Sequence, residues 1–159
     1  MRYKIRLIDC CDRTILNACE SVLKSVPEWF PLKYDIKFYI EAVAKLPTFI
    51  ATNDEEVVGF LSVKQHFPQS SDIYIIGVSQ SHHGMGIGSA LVEACEKWLL
   101  TKNCQFLQVK THSASVADVY YERTLKFYKS VGFVPLEEIS SIWGEKTPCL
   151  LMIKHLTSK

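Results

Sequence analysis

The feature that most constrains this chain is a strand-like run, a glycine-rich turn and a helix-like run that follow one another in mid-sequence. The apolar, β-branched run Ile73–Val78 is typical of a buried strand. After a short polar turn, Gly84, Gly86 and Gly88 alternate with other residues, and an amphipathic helix begins at about Ile87. The first N–H groups of a helix have no intrahelical partner, and glycine lets a ligand approach the backbone closely. The segment therefore predicts an anion site, most often for phosphate, at the start of a helix.

Two common phosphate motifs do not fit the glycines of this turn. The dinucleotide motif G-x-G-x-x-G needs glycine where Ser89 stands and an acidic residue near position 108, which is Gln108. The P-loop needs a lysine after its glycines, and none follows here. The pattern (Gln or Arg)-x-x-Gly-x-Gly does fit, with His83 in the first place, then Gly86 and Gly88. It resembles the pyrophosphate-binding motif of the GNAT superfamily of acyl-CoA N-acyltransferases.

A second segment agrees with this resemblance. Residues 125–133, LKFYKSVGF, are similar to the A-x-x-FYEKxGF signature that closes the helix beside the acyl-CoA thioester in that superfamily. Gly132 stands where a glycine is expected to end such a helix. One strand-like run, residues 106–111, separates the two segments, which is the order that the superfamily shows.

Hydrophobic periodicity and turn residues predict an α/β chain. Asp12 and Asp35 are expected to cap the first two helices, and Pro47 to end the second. The resemblance implies a GNAT-like mixed, mostly antiparallel sheet of about seven strands flanked by four helices, with the fourth and fifth strands parallel and splayed apart. The strands are predicted at 3–8, 48–52, 57–64, 73–78, 106–111, 134–139 and 149–155, and the helices at 12–24, from 35, at 87–103 and after the loop 112–118.

The resemblance also implies an activity and a co-substrate. We expect an N-acetyltransferase that moves the acetyl group of acetyl-CoA to a primary amine by direct attack in a ternary complex. The alternative is a non-catalytic CoA-binding or sensing module of the same fold. By resemblance a backbone N–H of the segment 76–78 serves as oxyanion donor, and Gly77 is consistent with a strand bulge there. The residues expected to bind acetyl-CoA are Ile76, Gly77, Val78, His83, Gly84, Met85, Gly86, Ile87, Gly88, Ser89 and Tyr121.

Two residues are the candidate catalytic groups. By resemblance, Tyr128 is the general acid that protonates the departing CoA sulfur or donates a hydrogen bond to it; the alternative is an aromatic residue that packs the helix. His112, just past the fifth strand, has a pKa suited to a general base. Asp72 or an ordered water chain is the alternative base. The superfamily often has Asn at the position of Tyr121, and a phenol cannot supply both the carbonyl and the amide of that side chain.

An acceptor pocket is expected, walled by the first two helices, the loop between them and the last hairpin. An aromatic lining can hold an amine by cation–π contact. For Trp29 and Phe30 we favour a structural role, in which they fasten their loop to the core. The candidate lining residues are Trp29, Phe30, Tyr34, Phe38 and Trp143.

The composition of the chain argues against several classes of binding partner. A net charge of +1 offers no basic stripe for nucleic acid. The six cysteines include no C-x-x-C pair, which favours buried thiols in a reducing compartment and no bound metal. No apolar run is long enough to span a membrane, and the N-terminus does not resemble a signal peptide. We therefore expect a single cytoplasmic domain over residues 1–159 that acts on a small-molecule or peptide amine, with a homodimer expected by resemblance alone.

Overall fold

The computed structural model of this chain describes residues 3–30, 33–113 and 118–158, and only the backbone at residues 33 and 34. The side chain of Tyr34 and most of the predicted loop 112–118 thus lie outside the described residues. The strands are β1 (Lys4–Ile8), β2 (Thr48–Asn53), β3 (Glu56–Phe67), β4 (Ser70–Val78), β5 (Phe106–His112), β6 (Val134–Ile139) and β7 (Cys149–His155). The helices are α1 (Arg13–Lys24), α2 (Lys33–Val43), α3 (Ile87–Thr101), α4 (Val119–Ser130) and α5 (Ser140–Trp143).

The strands form one seven-stranded sheet in the order β1-β2-β3-β4-β5-β7-β6. The β4–β5 pair is parallel, with Ser70 opposite Phe106 and Ile73 opposite Val109, while the β1–β2, β2–β3, β5–β7 and β6–β7 pairs are antiparallel. The predicted mixed, mostly antiparallel sheet is confirmed. The four predicted helices are present, and the short α5 and a 3₁₀ turn at Gln80–His82 are additional elements.

The elements fall into two compact units, of which the first comprises residues 1–64 and 74–98. Its core lies where α1 and α2 cover the strands, and Leu23, Val43 and Phe60 are among its fully buried residues. Asp12 caps α1 as predicted, because its carboxylate accepts a hydrogen bond from the N–H of Ile15 at 2.9 Å. The prediction for Asp35 is wrong: α2 begins at Lys33, so Asp35 lies in the first turn, where its charge favours the positive end of the helix dipole.

The second unit comprises residues 65–73 and 99–159. Here β5, β7 and β6 form an antiparallel group, in which His112 lies opposite Cys149. Helix α4 buries Leu125 and Tyr128, and the chain leaves it through Gly132 with a φ of +101°, as the glycine signal predicts. Helix α5 is followed by Gly144, whose φ is +96°.

Two further observations bear on the compositional predictions. All six cysteines lie within the described ranges, and none of them is in a disulfide. Over the same ranges, no helix combines the length and apolar character that crossing a bilayer requires. The prediction of a single domain over the whole chain stays a prediction.

Candidate active site

The glycine-rich turn of the first unit has two residues at positive φ with open space beside the backbone. Gly84 and Gly86 adopt φ values of +76° and +81°, which L side chains rarely reach. Chain neighbours aside, a Cβ on either residue would meet no atom of the described residues within 4 Å, so both positions leave open space beside the backbone. Successive N–H groups in such a turn converge on a concavity that binds anions.

Helix α3 begins directly after this turn. The N–H of Ala90 donates to the carbonyl of Gly86 at 3.0 Å, so the amides of Ile87, Gly88 and Ser89 precede the first intrahelical bond. The side chain of Ile87 anchors the N-terminus of α3 in the core, since it is only 2% exposed. The positive end of the helix dipole thus adds to the glycine turn, and the predicted cradle residues lie together in the first unit.

Strand β4 enters the turn through Ile76, Gly77 and Val78. A Cβ on Gly77 would lie 3.1 Å from Leu23 Cδ2 and 3.4 Å from Phe60 Cε1. Close packing against α1 therefore accounts for this glycine. Whether the backbone of this segment donates to an oxyanion, as the resemblance implies, stays a prediction.

The side chain of His83 has a partner that the sequence did not indicate. Its Nε2 lies 2.7 Å from the carbonyl oxygen of Val78, and its ring packs edge-on against Trp29 with centroids 5.9 Å apart. Met85, two residues further on, is 46% exposed and accepts a hydrogen bond on its sulfur from the Tyr3 hydroxyl at 2.9 Å.

Tyr128, the candidate general acid, is buried in the second unit. It is only 5% exposed, and its ring packs edge-on against Phe133 with centroids 5.7 Å apart. Burial, and to a smaller extent the negative charge of Asp72, raise the pKa of Tyr128. The phenol therefore keeps its proton at all ordinary pH values and can act as a hydrogen-bond donor.

Asp72, the alternative base, belongs to a buried ion pair. Its side chain is 9% exposed, and Oδ2 accepts from Lys110 Nζ at 2.9 Å and lies 3.4 Å from His66 Nε2. Its other oxygen, Oδ1, is buried without a hydrogen-bond partner in the described part of the chain. Lys110 and His66 were not predicted, although alternation along β5 places Lys110 on the same face as His112.

His112, the candidate base, is sandwiched in aromatic contacts within the second unit. It stacks on Tyr121 with centroids 4.0 Å apart and planes 18° apart, and Trp143 lies against it at 5.3 Å. Burial lowers the pKa of His112, and a smaller opposing effect of Asp118 does not cancel the shift. Its Nδ1 is buried without a hydrogen-bond partner among the described residues. Burying a lone pair without a partner costs less free energy than burying an N–H without one. We therefore expect the neutral His112 ring to carry its hydrogen on Nε2.

The other predicted lining residues meet around Tyr39 of α2. Phe30 and Phe38 contact this ring edge-on, with centroids 5.7 Å and 6.1 Å away, and Tyr74 of β4 lies 5.9 Å away. Phe30 packs against the core, which fits the structural role favoured for it, whereas Phe38 is 64% exposed. Trp143 contacts a candidate catalytic residue, His112.

The sequence of this chain is similar to those of known acetyltransferases. The sequence model of the acetyltransferase (GNAT) family matches residues 14–133. A curated relative, the mycothiol acetyltransferase of Corynebacterium glutamicum strain R, is 50% identical over 38 residues. These residues make up 24% of this chain and 13% of the length of that relative.

Solved structures share the fold over nearly the full length of the chain. A protein of Desulfovibrio desulfuricans assigned to the GNAT family superposes with a TM-score of 0.86 at 15% identity, over 98% of this chain and 100% of that one. An aminoglycoside 6'-N-acetyltransferase complexed with coenzyme A gives a TM-score of 0.78 at 15% identity, over 98% of each chain.

Proposed function

Because this chain belongs to the GNAT acetyltransferase family, we propose that it transfers the acetyl group of acetyl-CoA to a primary amine by direct attack in a ternary complex. The observation that carries the proposal is the cradle: Gly84 and Gly86, both at positive φ and both open on the side where a Cβ would stand. Backbone amides that no side chain covers are suited to a pyrophosphate.

Acetyl-CoA supplies an activated thioester to this site. We assign the pyrophosphate to the amides of residues 84–89 and the oxyanion to an N–H of the segment 76–78. Negative charge at residues 84–89 is favoured, because their main-chain donors lie at the N-terminus of α3. A main-chain donor of the segment 76–78 is likewise fixed before the ligand arrives. Tyr121 is the remaining candidate contact, and its stacking on His112 supports a place beside the reacting groups.

We assign the role of general base to His112. During attack the amine nitrogen forms a bond to the acyl carbon and must lose a proton. A histidine whose pKa is lowered from 6.5 is neutral at pH 7, so one of its ring nitrogens has a lone pair that can accept a proton. Asp72 is a weaker candidate because its carboxylate already compensates the charge of Lys110. An ordered water between the amine and His112 is compatible with this assignment.

We assign the thiolate leaving group to Tyr128. As the C–S bond breaks, the sulfur gains negative charge, which a phenolic O–H can stabilise. A phenol with a raised pKa is a weaker acid than a thiol of pKa about 8.5, so complete proton transfer is uphill. Tyr128 therefore acts chiefly by donating a hydrogen bond.

The acceptor belongs to the class of small-molecule or peptide amines. The names of the matched proteins specify mycothiol and aminoglycosides as acceptors of those enzymes. Trp143, which is 41% exposed and in contact with His112, offers an aromatic face to an incoming ammonium group.

The absence of disulfides among six described cysteines suits a reducing compartment, so we propose the cytoplasm as the site of action.

The test is thermal unfolding of the protein with acetyl-CoA, CoA or ATP, followed by thiol release with a panel of amines. A ligand at about 100 times its Kd adds roughly 2.7 kcal/mol, which corresponds to a Tm increase of roughly 5–10 °C. We expect acetyl-CoA and CoA to raise the Tm and ATP to leave it unchanged. No shift with either CoA species would refute the proposal, and a shift without thiol release would favour the non-catalytic CoA-binding module.

A further inference from the structure

The side chain of His83 points back to strand β4. Its Nε2 lies 2.7 Å from the carbonyl oxygen of Val78, the last residue of that strand. A carbonyl oxygen can only accept, so Nε2 carries the hydrogen and donates it. In the neutral ring Nδ1 then carries a lone pair, which repels a phosphate oxygen. With this geometry, neutral His83 has no N–H left to offer a pyrophosphate.

The bond from His83 fixes one peptide group at the end of β4. The carbonyl of Val78 accepts from His83, and the N–H of Ser79, in the same peptide group, donates to the carbonyl of Val58 at 2.8 Å. A peptide plane bonded at both its C=O and its N–H cannot rotate freely. Its orientation limits the torsions of Val78 and therefore the direction of the N–H groups just before it.

The same turn is fastened to the segment between α1 and α2. Trp29 packs edge-on against the His83 ring, with planes 75° apart, and the hydroxyl oxygen of Ser25 accepts from the N–H of Gln80 at 3.1 Å. His83 is half-buried between these contacts. The ring is therefore held by the protein itself on two sides, through its edge and through Nε2.

We propose that His83 is a positioning residue, which orients the end of β4 for acyl transfer, and that it does not bind the pyrophosphate. The inference rests on the proposed function, because the segment 76–78 is where the oxyanion donor is assigned. It revises the expectation that His83 contributes to the pyrophosphate site through its side chain; the backbone of the turn keeps that role.

The experiment compares two acetyl donors, acetyl-CoA and S-acetylpantetheine, which lacks the pyrophosphate. In His83→Leu the bond to Val78 is lost, and we expect kcat to fall about five- to tenfold with both donors. In His83→Gln the amide can donate to the same carbonyl, so kcat should recover. His82→Leu is the matched control, since His82 lies in the same turn and its Nδ1 lies 2.9 Å from the hydroxyl oxygen of Ser81, and it should leave kcat unchanged. A loss in His83→Leu that appears only as a higher KM for acetyl-CoA, and vanishes with S-acetylpantetheine, would overturn the proposal.

A measurement on the wild-type protein keeps the proposal testable even if His83→Leu fails to fold. Long-range ¹H–¹⁵N spectra of the histidine rings report which nitrogen is protonated. We expect Nε2 of His83 to carry the hydrogen that it donates to Val78, with no change of the Nδ1 resonance on addition of CoA. A CoA-dependent shift of the Nδ1 resonance would show a phosphate contact and refute the inference. Failure of the wild type to bind CoA at all would instead refute the proposed function, and the two failures are read from separate signals.

Discussion

Replacing Gly86 by alanine should abolish coenzyme A binding while the chain stays folded. Apart from the chain neighbours, no atom in the described part of the chain lies within 4 Å of the new Cβ, so the substitution creates no clash there. The same space is where the proposed pyrophosphate approaches the backbone. The variant therefore tests the effect of this position on CoA binding separately from its effect on folding stability.

The expected magnitudes follow from the backbone conformation. Holding alanine at a φ of +81° costs about 1–2 kcal/mol, which is well below the roughly 5–15 kcal/mol that stabilises a typical domain. Each hydrogen bond from an amide to a charged phosphate oxygen contributes roughly 1.5–3 kcal/mol. Loss of two such bonds raises Kd by about 100-fold or more.

The assay is calorimetric titration of CoA, with unfolding in urea as the stability measurement. Gly144→Ala is the control, because Gly144 has a φ of +96° and a ψ of 163° and also has no atom within 4 Å of a Cβ. This conformation is essentially restricted to glycine, so the control should lose at least as much stability and keep its affinity for CoA. Wild-type affinity in Gly86→Ala, or an equal loss of affinity in Gly144→Ala, would refute the reasoning.

Three further predictions concern the second unit. His112 must be neutral to accept a proton and burial lowers its pKa, so the acid limb in the pH dependence of kcat/KM should have its midpoint below pH 6.5. His112→Gln should flatten this limb. Trp143→Ala, which exposes the His112 ring to water, should move the midpoint of the limb to higher pH. Tyr128→Phe should lower kcat about ten- to a hundredfold with unchanged CoA affinity, and an equal loss of affinity in a titration would contradict the assigned role. Asp72→Asn leaves the Lys110 ammonium, 31% exposed, without its carboxylate. Because the pair is only partly buried, we expect a loss of about 1–2 kcal/mol, between the ranges for exposed and buried pairs, and an unchanged urea midpoint would contradict it.

The sequence predicted the fold well where one local signal decides the structure. The β-branched run, the alternating glycines and the helix that begins at Ile87 each follow from short-range preferences, and the structure has them where the sequence placed them. Gly132 ends α4 for the same reason, since few other residues adopt its φ of +101°. The start of α2 was predicted too late, because Asp35 suits a first turn as well as a cap.

Features that depend on contacts distant in sequence were not predicted. The pair Asp72–Lys110 requires that β4 and β5 lie side by side with Asp72 opposite Gln108, and no pattern within either strand specifies that register. The contact between His112 and Trp143 depends on α5, a helix of four residues that is too short to show periodicity. The bond from His83 to Val78 joins residues close in sequence, but it was missed because it depends on a 3₁₀ turn of three residues, which is too short to show a pattern.

Gly77 has a consequence for how this protein can change over evolution. Because a Cβ at residue 77 would stand 3.1 Å from the Leu23 side chain, strand and helix share one fixed volume at this crossing. A larger residue at 77 requires a smaller one at 23, so the two positions are expected to covary, with side-chain sizes that change in opposite directions. The side-chain size at residue 77 of β4, the strand to which we assign the oxyanion donor, is therefore limited by packing against α1, which has no part in the reaction.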